Sequence, residues 1–201
     1  TWTQDFREEF HARRGYDIVP YMPVLANRMV ESRSVSNRFL YDFRRTVADL
    51  IAEDHYKYFA DLCHKHGLYW HPESGGPHAA PIDALQTMRY NDVPMGEFWS
   101  RANTHRVDAD QRLYVKQSAS VAHTNGKRFV FAEGPSSIGP FWERAPKDLK
   151  GLFDRGFCEG VNNILWAVFT SSPIEFGLPG IRFFACSNIN PNLTWWDQSP
   201  A

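Results

Sequence analysis

Residues 127–135 read Lys-Arg-Phe-Val-Phe-Ala-Glu-Gly-Pro, an apolar run that stops at a carboxylate and then at Gly134-Pro135. Such punctuation predicts a buried strand over 128–132, with Glu133 just past its carboxyl end. Before it, residues 108–125 suit a helix closed by Gly126. After it, residues 146–159 suit another helix closed by Gly160, followed by a second apolar strand over 161–169 that breaks at Thr170-Ser171-Ser172-Pro173. Helix, glycine, buried strand, polar loop is the order of an α/β protein with a parallel sheet.

The same order extends towards the N-terminus. Phe39, Leu40, Phe43, Val47, Leu50, Ile51, Phe59, Leu62 and Cys63 recur at helical spacing, which predicts one long helix over 35–66 ended by Gly67. Asp42, Arg44, Arg45, Asp49, Glu53 and Asp54 fall between them and are expected mostly on a solvated face. An earlier helix over 3–13, capped by Thr3 and stopped by Gly15, carries Phe6 and Phe10 on one side. Two prolines make 15–23 an ordered loop, and a short strand-like run follows Gly67 and breaks at Glu73. The tail from 178 to 201, rich in Gly, Pro, Asn and Trp, reads as loop across the top of the sheet.

Composition narrows the function classes. With 43% hydrophobic and 22% charged residues the chain is ordinary for a soluble globular protein, and a net charge of −1 leaves no footprint for nucleic acid. No apolar run is long enough to cross a membrane. The 7 Trp, 8 Tyr and 15 Phe fit a sugar cleft, and fit a Phe-rich core equally well. Cys63, Cys158 and Cys186 are far apart with no CxxC spacing, so buried free thiols are expected.

In parallel α/β folds reactive groups collect just beyond the carboxyl ends of strands. Glu73 and Glu133 are expected there, and Glu97 lies in the short apolar stretch MGEFW, which also holds Trp99, with Trp142, Trp195 and Trp196 elsewhere in the chain. Paired carboxyls beside aromatic rings are what glycosidic bond cleavage requires: one protonates the leaving oxygen, the other activates water or attacks carbon. The alternative for each is a helix cap or a partner for Arg. His64 and His66 read as helix-end caps, and His71-Pro72-Glu73 is a weak metal signal. Asp108 and Asp110 resemble an acidic first helical turn more than a calcium loop. Ser118, Ser120 and His123 share a predicted helix without a nucleophile elbow, which disfavours a serine hydrolase.

Five stretches, DFREEFHARRGYDIVPYMPVL, RFLYDFRRTVADLIAEDHYKYFADLCHKHGL, DVPMGEFW, KQSASVAHTNGKRFVFAEG and GLPG…NPNLTWW, resemble the α-L-rhamnosidases of glycoside hydrolase family 106. The resemblance implies an inverting, calcium-dependent enzyme built on a (β/α)8 TIM-type barrel within a multidomain protein. It implies Glu133 as general base, Glu97 as a second acidic site residue, and Glu73 as a sugar or calcium contact. Trp99, Asn188 and Trp195 are expected to touch the substrate. The general acid is expected before Thr1, so residues 1–201 are expected to form a single segment: the C-terminal part of a partial barrel, with its later strands and helices. The implied partners are a carbohydrate substrate and the remaining domains of a larger chain, in a bacterial periplasmic or secreted setting. Asn163, Ala167 and Asn188 depart from the family pattern, where a basic residue and two histidines are expected. Two alternatives stay open: a catalytically impaired carbohydrate-binding barrel, and a retaining glycosidase of another barrel family. Carboxyl separations of about 6.5–9.5 Å mark inversion and about 5–5.5 Å mark retention.

Overall fold

The computed structural model describes residues 3–73, 82–101, 112–139, 142–185 and 187–198. Its N-terminal half is helical. Helix α1 (Phe6–Arg14) buries Phe6 and Phe10 and ends at Gly15, whose φ of 81° is the left-handed conformation that favours glycine. The expected Thr3 cap does not form; Asp5 takes the N-cap position without a side-chain bond. The expected loop after Gly15 coils from Val19 into a 3-10 helix (Val19–Ala26), whose first turn accommodates a proline.

The long helix runs from Arg33 to Lys65 as α2 (Arg33–Leu50), a π-helical segment (Ile51–Lys57) and α3 (Tyr58–Lys65). Ser32 caps its start by accepting from Val35 N at 3.2 Å. At its end Leu68 N donates to Cys63 O at 2.9 Å and Gly67 N to His64 O at 3.0 Å, which satisfies the last carbonyls. Phe6, Phe10, Ile18, Val24, Phe39 and Val47 form one buried cluster, with Tyr21 stacked on Phe39 at 5.6 Å between centroids. The polar stripe is less solvated than expected. Arg14 meets Asp49 at 2.6 Å, Arg13 meets Glu53 at 2.7 Å, and the Tyr16 hydroxyl donates to Asp42 at 3.0 Å, so these carboxylates dock α1 and the loop behind it. His64, expected as a cap, instead faces Asp92 at 2.9 Å.

The Arg13 guanidinium holds the Glu53 carboxyl below its ordinary value of 4.5. A depressed carboxyl stabilises the fold above its unfolded value and loses that contribution as pH falls through the folded one. Glu53→Gln should therefore flatten the acid-side loss of protection in these helices. Amide exchange of 6–14 and 33–65, compared at neutral pH and at about pH 3, reads this directly; an unchanged pH slope would show that the pair contributes nothing.

The second half carries three parallel strands in sequence order: β1 (Met95–Arg101), β2 (Phe131–Ser137) and β3 (Asn163–Trp166). Short helix α4 (Ala84–Met88) precedes β1, α5 (Arg112–Thr124) joins β1 to β2, and α6 (Pro146–Cys158) joins β2 to β3. Phe98, Val115, Ala119, Ala122, Val130, Ala132 and Val161 are buried together, and Leu152, Phe153 and Ile164 pack against them. Helices α5 and α6 therefore cover the same face of the sheet. Parallel crossovers of one hand that step in the same direction place their helices on one face. Gly160, at φ 111°, lets β3 approach α5: an added Cβ would lie 2.9 Å from that of Ala119.

Strand boundaries differ from expectation, β3 among them, which spans Asn163–Trp166 rather than 161–169. No strand forms over 68–72, because its backbone bonds are taken up locally. Trp70 N donates to Asp92 Oδ2 at 2.6 Å, and Pro72 O accepts from Asn91 Nδ2 at 3.1 Å. Only Glu73 joins the sheet, as a parallel bridge to Met95. Strand β2 begins three residues later than expected, since Asn162 occupies the backbone before it, accepting from Val130 N and donating to Arg128 O, both at 2.9 Å. Beyond β3 a parallel bridge joins Phe169 to Ile189. Cys63 is partly exposed and Cys158 exposed, so neither is the buried thiol expected; Cys186 lies outside the described residues, as do Asp108 and Asp110. Among the described residues no helix is long and apolar enough to cross a membrane.

Candidate active site

Strands β1 and β2 are in register at Met95↔Phe131, Gly96↔Ala132 and Glu97↔Glu133. Laterally paired residues of parallel strands point to the same face, and their neighbours along each strand point to the other. Phe98 and Ala132 are buried against the helices. Glu97 and Glu133 therefore share the face that α5 and α6 leave uncovered. Backbones of adjacent strands lie about 4.8 Å apart, so the two carboxylates stand side by side. Glu97 is 6% exposed and Glu133 is half-buried. Expected beyond its strand, Glu133 instead lies inside β2, because the strand continues through Gly134-Pro135 to Ser137.

That continuation is irregular. Between Glu97 and Trp99 on β1, β2 advances from Glu133 to Ser136, a β-bulge with one extra residue on β2. The bulge returns Ser136 to the side of Glu133, and its hydroxyl donates to Glu133 Oε1 at 3.5 Å. Gly134 is required beneath it. A Cβ there would stand 2.6 Å from Phe98 Cδ1 and 2.7 Å from Cζ, inside van der Waals contact.

One step earlier on the same face, two residues back along each strand, the row reads Glu73, Met95, Phe131 and Asn163. Glu73 is exposed and one step from the carboxylate pair. The His71 ring meets Phe131 edge-on at 4.9 Å, and burial lowers its pKa, which favours the neutral imidazole. The strand entries are fastened from below by Lys127, whose ammonium donates to Arg89 O at 2.7 Å and also to Asn91 O, and whose pKa burial lowers.

The other expected substrate contacts are dispersed. Trp99, two residues along β1 from Glu97 and paired with Ser136, is 4% exposed; it also borders a cavity of about 20 Å³ with Phe98, Val115, Leu152 and Gly156. Asn188 is fully buried, accepting from Phe183 N at 2.5 Å and donating to Phe183 O at 3.3 Å, so it braces the tail. Trp195 lies in an aromatic groove of about 540 Å³ with Phe153, Phe157 and Trp166, on the helix side of the sheet. Sequence reasoning had no access to Ser136, because its facing depends on the bulge.

The family model described as alpha-L-rhamnosidase, glycoside hydrolase family 106, matches residues 1–201, the whole chain. The chain belongs to the α-L-rhamnosidase family. A solved rhamnosidase from Novosphingobium sp. PP1Y superposes with a TM-score of 0.78 and 33% identity, over 98% of this chain and 19% of that one. A provisionally named beta-glucuronidase from Formosa agariphila is 38% identical over 201 residues, covering all of this chain and 16% of the relative. The chain thus spans under a fifth of the length of the relatives it matches. For this family member, the α/β architecture with a small parallel sheet agrees with the rhamnosidase neighbour.

Proposed function

We propose that these residues form part of the catalytic barrel of a glycoside hydrolase that cleaves terminal α-L-rhamnosides, with Glu133 as general base. The observation that carries this reading is the in-register pairing of Glu97 and Glu133 on the sheet face opposite α5 and α6. Support for a barrel comes from strand order. The bridges at Glu73 and Phe169 extend the sheet to five parallel segments in unbroken sequence order, with no reversal of direction. Open doubly wound sheets place helices on both faces and reverse at a switch point; barrels do neither.

In the inverting mechanism that family membership favours, Glu133 takes a proton from water as the oxygen attacks the anomeric carbon. A carboxylic acid from elsewhere in the longer chain protonates the departing oxygen. Glu97, buried beside Glu133, would bind the sugar and hold the base in place. Calcium, if used, needs about six to eight oxygen ligands. Among the described residues no three His, Cys, Asp or Glu side chains cluster, so the ion would draw on backbone or amide carbonyls or on residues outside them, and no step is assigned to it. A periplasmic or secreted location belongs to the same proposal.

A second reading has one observation in its favour. The lateral pairing of Glu97 with Glu133 sets their backbones about 4.8 Å apart, close enough for the carboxyls to approach the separation of about 5–5.5 Å in retaining enzymes. Glu97 and Glu133 would then be the acid and nucleophile themselves. Product stereochemistry separates the two. Hydrolysis of an aryl α-L-rhamnoside by the full-length protein, followed by NMR, should release β-rhamnose first. Initial α-rhamnose would transfer the reading to retention by the Glu97–Glu133 pair. Turnover of an aryl β-glucuronide alone would replace the substrate with the one named for the Formosa relative.

A further inference from the structure

We propose that Ser136 is a positioning residue, whose hydroxyl donates to Oε1 of Glu133 and turns Oε2 towards the water to be activated. The inference rests on the reading of Glu133 as base. It begins with the backbone. In a regular strand, residues three apart point to opposite faces. Ser136 would then be directed at the helices. The bulge between Glu133 and Ser136 adds one residue on β2 and restores Ser136 to the side of the carboxylate.

Ser136 is also held in that place. It is 1% exposed, and its carbonyl accepts from Ser100 Oγ on β1 at 3.2 Å. Across from it, Pro135 O accepts from Ser187 Oγ at 2.5 Å, so the bulge is gripped from both sides. The backbone that carries the hydroxyl is therefore fixed, and Oγ moves only by rotation about Cα–Cβ. The Ser136–Glu133 distance of 3.5 Å is long for a hydroxyl on a carboxylate. Such contacts are often loose without ligand and tighten when substrate closes the site.

A carboxylate that serves as base presents two equivalent oxygens to one water. A donor committed to one oxygen removes that degeneracy, and fixes the plane in which the other accepts the proton. The effect belongs to the transition state, so it should appear in kcat and spare KM.

The test is a double-mutant cycle in the full-length protein, with Ser136→Ala, Glu133→Gln and the pair combined, assayed on an aryl α-L-rhamnoside. Ser136→Ala shortens the side chain and introduces no clash. It should lower kcat by about tenfold, the scale of a hydrogen bond to a charged group, with KM little changed. In the Glu133→Gln background the same change should cost nothing further, because the group it acts through has gone. An equal loss in both backgrounds, or a loss confined to KM, would show that Ser136 only supports the strand. Full activity in Ser136→Ala would also overturn the proposal. Full activity in Glu133→Gln would instead overturn the assignment of the base, so the two failures are distinct.

Discussion

Glu133→Gln is expected to cost the full-length protein about 10²–10⁴-fold in kcat on an aryl α-L-rhamnoside, the usual range for losing a general base. Binding of rhamnose and thermal unfolding should stay close to wild type. The amide has nearly the volume of the carboxylate and can still accept from Ser136 through its oxygen, but it cannot take a proton from water. Because Glu133 is half-buried beside Glu97, the exchange also removes one of two neighbouring carboxylates from a confined place. Stability should therefore not fall, and a modest rise in melting temperature is the expected direction. Turnover within a few-fold of wild type would give the role of base to another residue.

The second large effect is expected at Gly134. Gly134→Ala places a methyl group 2.6 Å from Cδ1 of Phe98, a ring that is 7% exposed and locked in the cluster under α5 and α6. The ring meets Phe153 edge-on at 5.6 Å and borders a cavity of only about 20 Å³, which leaves it little room to shift. Overpacking of this kind costs about 1–3 kcal/mol. Relief would come from parting β1 and β2, so amide exchange across 95–101 and 131–137 should accelerate by about ten- to a hundredfold. Activity should drop with it, because the same separation pulls Glu97 from Glu133. Unchanged exchange in these two strands would mean that Phe98 has room the packing does not reveal. Phe98→Leu combined with Gly134→Ala should recover part of the loss, since the smaller side chain vacates the space the methyl group needs.

The parts of the molecule that could be read from the sequence are those where one local rule decided the outcome. Phe6, Phe10, Phe39 and Val47 at helical spacing identified the N-terminal cluster, and Gly15 and Gly67 stopped helices as glycines do. The π-helical stretch Ile51–Lys57 left no such trace, because a wider turn uses the same residues as an ordinary one. Glu97 and Glu133 were legible as candidates; their pairing was not, since register between distant strands is written in neither segment. The boundary of β2 was misjudged because Gly134-Pro135 ordinarily ends a strand, whereas here a bulge absorbs it. The tryptophans were the weakest guide. Composition counts rings without saying which side of a sheet receives them, and Trp195 went to the helix side.

The lateral match of Glu97 with Glu133 works as a ruler with one graduation. Hydrogen bonds between parallel strands set the gap, and a substitution that leaves those bonds intact leaves the gap as it is. A slip of one residue in either strand would turn its carboxylate into the helix layer. What remains adjustable is reach. Exchanging Glu for Asp withdraws a carboxyl by about 1.5 Å, one carbon–carbon bond, and leaves the backbone where it was. Relatives that share this sheet are therefore expected to diversify by lengthening or shortening acids at fixed positions, and by importing further groups on loops, while the two strands themselves stay in step.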